Sequence, residues 1–337
     1  MRWLLPLLLC LLAASCTRPG AELPRRGDEI MVAGRLFHTG APVVLWSDPG
    51  GYDAYRVEKR FVPFADSAWE KSGAGIDSPN RYNLRFERAA DTTFSPDELE
   101  QVRGGGWSLD LLRQHVDQFV IHYDVCGTSR TCFRVLHDIR GLSVHFMLDI
   151  DGTIYQTLDL KERAWHATTS NDRSVGIEIA NIGAYRPGEK DPFDQWYSRA
   201  PAQGPPGTVG ASDLRITIPS RLGDGGVRTP GFVARPARSN MILGEIHGTQ
   251  LRQYDLTPEQ YHSLTRLVAT LCTVLPKVRC DYPRDESGAL LRTVLPPDQL
   301  HAYSGVLGHF HIQKNKVDPG PAFDWDCVIL GARRLMR

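Results

Sequence analysis

The chain has 337 residues, with 39 lysines and arginines against 39 aspartates and glutamates, so its formal net charge is zero. Hydrophobic residues make up 42% and charged residues 23%, the balance of a globular protein that can bury a sizeable core. Because no basic surplus is available to neutralise a phosphate backbone, the composition predicts that nucleic acid is not a partner.

Residues 1–16 have the features of an export signal. A short apolar stretch from Leu4 to Leu12 is followed by small residues and then by Cys16. The stretch is too short to span a bilayer. Its end resembles the lipobox of bacterial lipoproteins, although Ala13 stands where leucine is usual. This resemblance implies an acylated Cys16 and a periplasmic protein held at the outer membrane, and cleavage near Ser15 without lipidation is the alternative.

Export also changes how the cysteines are interpreted, because disulfides persist in oxidising compartments. Two close pairs follow the signal, Cys126 with Cys132 and Cys272 with Cys280, and both are candidates for disulfides. The chain has no Cys-x-x-Cys pair, which argues against a zinc knuckle. Cys327 is left over and is expected to pack as a small apolar residue.

The N-terminal part, residues 17–110, is predicted to be a tether and an extension. From Gly27 to about Pro79, short apolar runs alternate with glycine and proline, which predicts a few strands and turns. Ser95-Pro96 is a helix-start signature, and Leu109 to Val116 is a second short helical stretch. We expect the main domain to occupy residues 111–337.

The main domain begins with patterns typical of buried strands. Phe119 to Tyr123 is an apolar run that presents His122 at its end, and Ser174 to Ala180 is another. Between them, two apolar stretches flank Asp151-Gly152, which predicts a hairpin. Residues 185–248 are rich in glycine, proline and polar side chains, and we interpret them as an insertion or lid.

The last third of the chain supplies a helix, a strand and a closing helix. Thr257 is the predicted cap of the first helix, with proline in its first turn and Gln260 completing a capping box. Gly305 to Ile312 is predicted to be a strand, and Asp324 to Met336 a helix. Strands mixed with helices around one core predict an α/β (α+β) fold.

Side chains that can bind a metal occur at the ends of these strands. His122 ends the first strand, His309 and His311 lie in the last, and Asp318 follows just before Pro319. Two imidazoles and one carboxylate with a fourth position open form a ligand set that suits catalytic zinc. Because His309 and His311 would share one face of a regular strand, His311 is a reserve ligand.

Two further residues could complete a hydrolytic site. Glu178 is a lone carboxylate in an apolar strand, which is costly to bury without a partner, and near a metal it could serve as general base. Lys316 lies two residues before Asp318, so in an extended chain it would face the same side and could stabilise an oxyanion.

Each residue also has an ordinary explanation. Strand-end histidines are more often hydrogen-bonded than metal-bound, and Glu178 alone could belong to a structural ion pair. Lys316 alone is more often a solvated charge, and Asp318 before Pro-Gly is by default a turn residue. From the residues alone, a metallohydrolase is one hypothesis and no more.

A resemblance to a known family adds to this pattern. The chain resembles the type 2 N-acetylmuramoyl-L-alanine amidases, a superfamily shared with peptidoglycan recognition proteins and a phage lysozyme. The matching elements, in chain order, are Val120-Ile121-His122, Ser143-Val144-His145-Phe146, Asp151-Gly152-Thr153-Ile154-Tyr155-Gln156, Trp165-His166-Ala167, Asn171, Ser174 to Ile179, and Gly308-His309 with Asp318-Pro319-Gly320. The resemblance implies a central mixed sheet flanked by helices.

The resemblance also implies roles for individual residues. It implies that His122, His309 and Asp318 bind Zn²⁺, that Glu178 is the catalytic acid–base residue, and that Lys316 assists the transition state. The implied reaction cleaves the amide between the lactyl group of N-acetylmuramic acid and L-alanine in peptidoglycan or muropeptides. Cys126 and Cys132 resemble a disulfide of the recognition-protein branch. His311 departs from the pattern, because aspartate is common at its position.

Other interpretations remain open at this point. His166 and Asn171 could line the substrate groove or simply pack at a strand end. A peptidoglycan-binding lipoprotein without catalysis is the main alternative to an enzyme, and the complete set of ligands plus Glu178 argues against it. A structural lipoprotein with an incidental match is a third hypothesis, which predicts no stoichiometric zinc.

Overall fold

The computed structural model describes residues 19–20, 23–72, 82–83, 85, 94–105, 107–200 and 213–337. The predicted signal and Cys16 lie outside these residues. The strands are β1 Glu29–Val32, β2 Arg35–His38, β3 Val43–Leu45, β4 Tyr82–Asn83, β5 Gln118–Tyr123, β6 Phe146–Leu148, β7 Ile154–Gln156, β8 Arg163–Ala164, β9 Ser174–Ile179, β10 Tyr197–Ala200, β11 Asp213–Ile216, β12 Ile242–Ile246, β13 Thr249–Gln253 and β14 Gly305–Gly308. The helices are α1 Pro96–Gly105, α2 Leu109–His115, α3 Ser129–Phe133, α4 Phe193–Trp196, α5 Pro258–Val274, α6 Pro297–Ala302 and α7 Trp325–Leu335.

A six-stranded mixed sheet forms the centre of the fold, in the order β14-β5-β9-β6-β7-β3. The strands β14, β5, β9 and β6 run parallel to one another, whereas β7 pairs antiparallel with β6 and parallel with β3. The predicted hairpin at Asp151-Gly152 is the antiparallel pair, with Phe146 opposite Gln156. The predicted mixed sheet with flanking helices is therefore confirmed.

Side-chain alternation gives the sheet two different faces. On β5, Phe119 and Ile121 point into the largest apolar cluster, which also contains the buried side of α5 and α7. Val120 lies in a separate cluster on the opposite side, and His122 shares that opposite side by period. The face that carries His122 is covered by α3, and Cys132 and Phe133 of that helix pack with Met147 there.

Helix α5 begins as the sequence predicts. The Thr257 hydroxyl accepts from the Gln260 backbone N–H at 3.0 Å, and the Gln260 side chain accepts from the Thr257 N–H at 2.9 Å. This reciprocal capping box satisfies two donors that an open helix end would leave bare. The helix buries an apolar stripe against the sheet, formed by Tyr261, Leu264, Leu267, Val268 and Leu271. Among the described residues, none of the helices is long and apolar enough to cross a membrane.

The N-terminal extension contributes to the central sheet. Strand β3 pairs in parallel with β7, with Val43 opposite Ile154. Buried Gln156 holds the same region, because its side chain exchanges hydrogen bonds with the Met31 backbone at 2.7 and 2.8 Å. Residues 29–45 therefore pack against the central sheet, and the boundary near residue 110 stays a prediction.

The described part of the insertion 185–248 contains the hairpin β10–β11 and the strand β12, which pairs with β13 just after the insertion. It is attached to the hairpin turn of the sheet, because the Asp151 carboxylate accepts from the backbone and the hydroxyl of Thr229 at 2.9 and 2.8 Å. Trp196 lies over Gly127, where an added Cβ would be only 2.5 Å from the indole. The insertion therefore supports the loop that follows β5.

One prediction about local structure is wrong in this structure. The strand predicted from Gly305 to Ile312 ends at Gly308, and a turn of 3₁₀ helix, His309–His311, follows it. The two disulfide pairings stay predictions, since no S–S bond joins any of the five described cysteines here. Within each predicted disulfide pair, however, the two thiols are hydrogen-bonding neighbours, Cys126 with Cys132 and Cys272 with Cys280.

Candidate metal centre

Three neighbouring parallel strands bring the predicted site residues to one edge of the sheet. His122 lies on β5 and Glu178 lies beside it on β9 as its register partner. His309 immediately follows β14, the strand on the other side of β5. Parallel strands place their carboxyl ends at the same edge of a sheet, so these side chains meet there although they are distant in sequence.

The three predicted ligands converge on a single point. His122 Nδ1 lies 3.0 Å from His309 Nδ1, and both nitrogens lie close to Asp318 Oδ2, at 2.9 and 3.0 Å. A tetrahedral zinc ion with bonds of about 2.0–2.1 Å separates its ligand atoms by about 3.3 Å. The three atoms therefore need to move apart by only a few tenths of an ångström to hold the ion. All three residues are buried.

The protonation states of the cluster suit a metal ligand set. Burial and the adjacent His309 together lower the pKa of His122 to about 4, against the opposing effect of Asp318. Burial alone would raise the pKa of Asp318, but the two histidines hold this pKa well below its usual range. A neutral imidazole and an ionised carboxylate are the forms that bind zinc.

The outer nitrogens of both histidines have defined partners. His122 Nε2 lies 3.0 Å from His166 Nδ1, and His309 Nε2 lies 2.5 Å from Gln313 Oε1. With each Nδ1 left unprotonated for a metal, each Nε2 carries the proton and donates it to these acceptors. His166 in turn places its Nε2 3.2 Å from the Ser174 hydroxyl. Such partners fix the tautomer and orientation of a ligating imidazole.

Hydrogen bonds from outside the central sheet hold Asp318 in place. The Asp318 carbonyl accepts from the Phe310 backbone N–H at 3.2 Å. The Gln253 side chain donates to the Pro319 carbonyl at 3.0 Å and accepts from the Ala322 N–H at 3.0 Å. Gly320 has φ +85°, and an added Cβ would meet Gln253 at 2.2 Å, so this turn requires glycine. Gln253, which makes these contacts, lies on β13, after the insertion.

Glu178 has the environment of a proton-transfer group. It is partly buried, and its Oε2 atom has no hydrogen-bond partner among the described residues. Burial raises the pKa of Glu178 well above its usual range, and the charges of Asp318 and Asp124 raise it further, whereas Lys316 opposes them. A carboxylate with a raised pKa and a free oxygen beside a metal cluster suits general acid–base chemistry.

A cavity of about 180 Å³ opens onto the cluster. The three ligands, Glu178, His166 and Lys316 all line it, so Lys316 faces the site as the sequence predicts. The local geometry differs from the prediction, because the Lys316 backbone donates to the Gln313 carbonyl in a turn and is not an extended strand. His247 Nε2 lies 3.1 Å from the Lys316 carbonyl and helps to hold this turn.

Two predicted site residues have different roles in the structure. His311 is not a reserve ligand, because its Nδ1 accepts from the Gly308 N–H at 2.9 Å and its Nε2 lies 2.8 Å from the Leu291 carbonyl. The 3₁₀ turn after Gly308 directs the His311 ring away from the cluster. Asn171 does not line the cavity, and its side-chain oxygen Oδ1 accepts from the backbone N–H groups of His166 and Ala167.

Sequence patterns did not reveal several residues that build the site. Arg140 and Trp165 line the cavity, and no spacing rule connects them to the ligands. Gln313 could have been found, because it lies four residues after His309. Arg85 belongs to the N-terminal extension and is fully buried. Its guanidinium donates to the carbonyls of Leu160, Asn171, Asp172 and Ser174, which bracket the loop carrying His166.

One segment of the sequence matches a known family model. Residues 112–203 match the N-acetylmuramoyl-L-alanine amidase family, Amidase_2. The matched amidase segment contains His122, His166 and Glu178, whereas His309 and Asp318 lie beyond its end. The chain therefore combines a segment similar to this amidase family with a buried His–His–Asp cluster that could hold a metal ion.

Solved structures of amidases resemble this chain at low identity. A selenomethionine derivative of AmpD is 16% identical, with 77% of this chain and 92% of that chain covered and a TM-score of 0.32. The amidase AmiD from E. coli, in complex with anhydro-N-acetylmuramic acid-L-Ala-D-γ-Glu-L-Lys, is 17% identical, covering 64% of this chain and 57% of that chain at a TM-score of 0.34. The endolysin amidase LysCS from Clostridium intestinale is 15% identical, covering 66% and 86% at a TM-score of 0.32. No curated protein matches the sequence.

Proposed function

We propose that this protein is a zinc-dependent N-acetylmuramoyl-L-alanine amidase. It hydrolyses the amide between the lactyl group of N-acetylmuramic acid, or its anhydro form, and L-alanine in peptidoglycan or muropeptides. The observation that carries the proposal is the convergence of His122, His309 and Asp318 within 3.0 Å of one another beside Glu178. The amidase-family match of residues 112–203 supports the choice of bond.

The residues around the cluster supply the groups that amide hydrolysis needs. Zinc bound in such a site lowers the pKa of water from about 15.7 to about 7 and polarises a carbonyl. Glu178 accepts the proton of the attacking water, because its Oε2 is unpartnered, and its raised pKa lets it deliver that proton to the leaving amine. Lys316 supports the negative charge that develops on the carbonyl oxygen.

The cavity also suits an acidic peptide. Arg140 and Lys316 both line it, so two cations face the bound substrate. The ligand in the AmiD complex contains a γ-linked D-glutamate, and that linkage leaves an α-carboxylate free. We expect Arg140 to pair with a carboxylate of the stem peptide, since guanidinium binds carboxylates in a bidentate manner.

The proposal includes a place in the cell. The lipobox-like end at Cys16 supports a lipid anchor, and with it a periplasmic protein attached to the outer membrane that acts in cell-wall turnover. Labelling with a radioactive fatty acid, with Cys16→Ser as the comparison, tests the anchor. A wild-type protein that takes up no label refutes it.

The decisive experiment is mass spectrometry of products from defined muropeptides in the presence of zinc. We expect the wild type to release the intact stem peptide. Glu178→Gln should lower the rate by at least about 100-fold while zinc remains bound, because it removes the base and leaves the ligands in place. Glu286→Gln is the matched control, since Glu286 is exposed and not part of the site.

Two outcomes would assign the protein to another class. A wild type that binds zinc and murein but never frees peptide is a peptidoglycan-binding lipoprotein, which is the main alternative. A protein that shows no stoichiometric zinc by elemental analysis after zinc saturation contradicts the metal site itself. In that case the histidine cluster is structural.

A further inference from the structure

A second cavity, of about 310 Å³, lies beside helix α3, where segments from three parts of the chain meet. Cys132, Val135 and Leu136 line the catalytic cavity, whereas Arg130 and Arg134 line the second one. At about 100° per residue, Arg130 and Cys132 of α3 lie on roughly opposite faces of the helix, and Arg134, Val135 and Leu136 follow in the π-helical turn that continues it. We call this cavity the arginine cleft, and it is lined by Phe61, Arg130, Thr131, Arg134, Arg221, Leu222 and Gly225.

The walls of the cleft are fixed by specific contacts. Asp138, in the π-helical turn that continues α3, accepts from the backbone N–H groups of Arg60 and Phe61 at 2.9 and 2.7 Å. On the insertion side, Gly225 and Gly226 pack so closely on the start of α3 that an added Cβ would come within 2.8 Å of its side chains. The N-terminal extension and the insertion are therefore both attached to this helix.

The cleft carries an excess of positive charge. Arg130 lies 3.8 Å from Asp224, a distance that gives a weak, solvent-exposed ion pair. Among the residues that the structure describes, no carboxylate lies within 4.0 Å of the guanidinium of Arg134 or Arg221. Three guanidinium groups thus face one cavity with a single nearby carboxylate, and like charges held together in this way favour an anionic ligand.

We propose that the arginine cleft binds free carboxylates of a peptidoglycan stem peptide next to the one being cut, so that the preferred substrate is the polymer. This inference rests on the proposed amidase function. The cleft and the catalytic cavity lie on the two sides of one helix, about 10–12 Å across, and adjacent stem peptides of a polymer can occupy both. Phe61 and Leu222 provide apolar contact for the aliphatic part of an acidic residue.

Binding to purified sacculi tests this inference without depending on catalysis. The variant Arg130→Gln/Arg134→Gln/Arg221→Gln, built in the Glu178→Gln protein, should bind sacculi about tenfold more weakly in sedimentation assays, as expected for three exposed charge contacts. The matched control changes Arg279, Arg334 and Arg337, which are also exposed, to glutamine and should bind normally. When the carboxylates of the sacculi have been amidated, the cleft variant and the control should bind equally.

Steady-state kinetics provide a second test of the inference. In the otherwise wild-type enzyme, the three cleft substitutions should raise KM for sacculi and leave kcat/KM for a muropeptide with one stem peptide unchanged. If neither substrate is cut by the wild type, the amidase proposal fails and the binding assay alone decides the inference. If the cleft variant and the control bind sacculi equally, the inference about the arginine cleft is wrong. The inference is also wrong if the three arginines are needed for binding to phosphatidylglycerol vesicles but not for binding to sacculi. In that case the cleft binds a lipid headgroup.

Discussion

The hydrogen bond from His122 to His166 should control how tightly the site binds zinc. A metal on His122 Nδ1 forces the proton onto Nε2, which lies 3.0 Å from His166 Nδ1 in a buried position. Burial lowers the pKa of His166 well below its usual range, and neighbouring His122 and His145 lower it further, so His166 stays neutral and can accept this proton. His166→Phe keeps the ring volume and removes the acceptor.

The size of the effect follows from the free energy of an unsatisfied buried donor. Such a donor costs about 1–3 kcal/mol, and each 1.4 kcal/mol is about tenfold in binding, so zinc affinity should fall roughly 5- to 150-fold. The free protein avoids most of this cost, because His122 can then carry its proton on Nδ1 and donate to Asp318. The penalty therefore falls on the metal-bound state.

Competition with a chromophoric zinc chelator measures this affinity directly. His166→Asn is the matched variant, because its side-chain oxygen can take the place of the ring Nδ1 and should restore much of the affinity. Thermal unfolding of the metal-free proteins checks that all variants fold. A folded His166→Phe protein that binds zinc as tightly as the wild type would refute the argument that this contact orients the ligand.

Two further predictions concern stability. Burial raises the pKa of Asp149 to about 8, so the folded chain keeps a proton that the unfolded chain loses near pH 4. The free energy of unfolding should therefore fall between about pH 4 and pH 8, by up to about 1.4 kcal/mol per pH unit. In urea unfolding at pH 5 and pH 8, Asp149→Asn should show a smaller fall in this free energy than the wild type. An equal fall in the two proteins contradicts the prediction. Arg85→Met should cost about 2–4 kcal/mol in urea unfolding, because four carbonyls lose a buried donor, whereas exposed Arg26→Met should cost little. Equal stability of the two arginine variants would show that the Arg85 contacts do not hold the loop.

Local patterns predicted the elements whose cause is local. The hairpin at Asp151-Gly152 and the capping box at Thr257 follow from turn and cap chemistry within a few residues, and both are present. The strands that carry His122 and Glu178 also follow from short apolar runs. In each case the physical determinant lies within the segment itself.

The prediction for the last strand fails for a reason that is not local. An apolar run from Gly305 to Ile312 is compatible with a longer strand, but the chain turns at Gly308 to bring His309 against Asp318. An added Cβ at Gly308 would meet Pro319 at 2.7 Å, so the tight return of the Asp318 loop occupies the path next to it. That turn removes His311 from the site and leaves three ligands.

The sequence by itself determined the strands, the hairpin and the capped helix, because side-chain alternation and turn chemistry act over a few neighbouring residues. Only the tertiary structure brought His122 and Asp318, 196 positions apart, to within 2.9 Å, and only it placed buried Arg85 behind the site. It also joined Phe61, Arg134 and Arg221 in one cleft. These arrangements depend on the order of the strands in the sheet and on how loops pack across the molecule. Neither can be inferred from the spacing of residues along the chain.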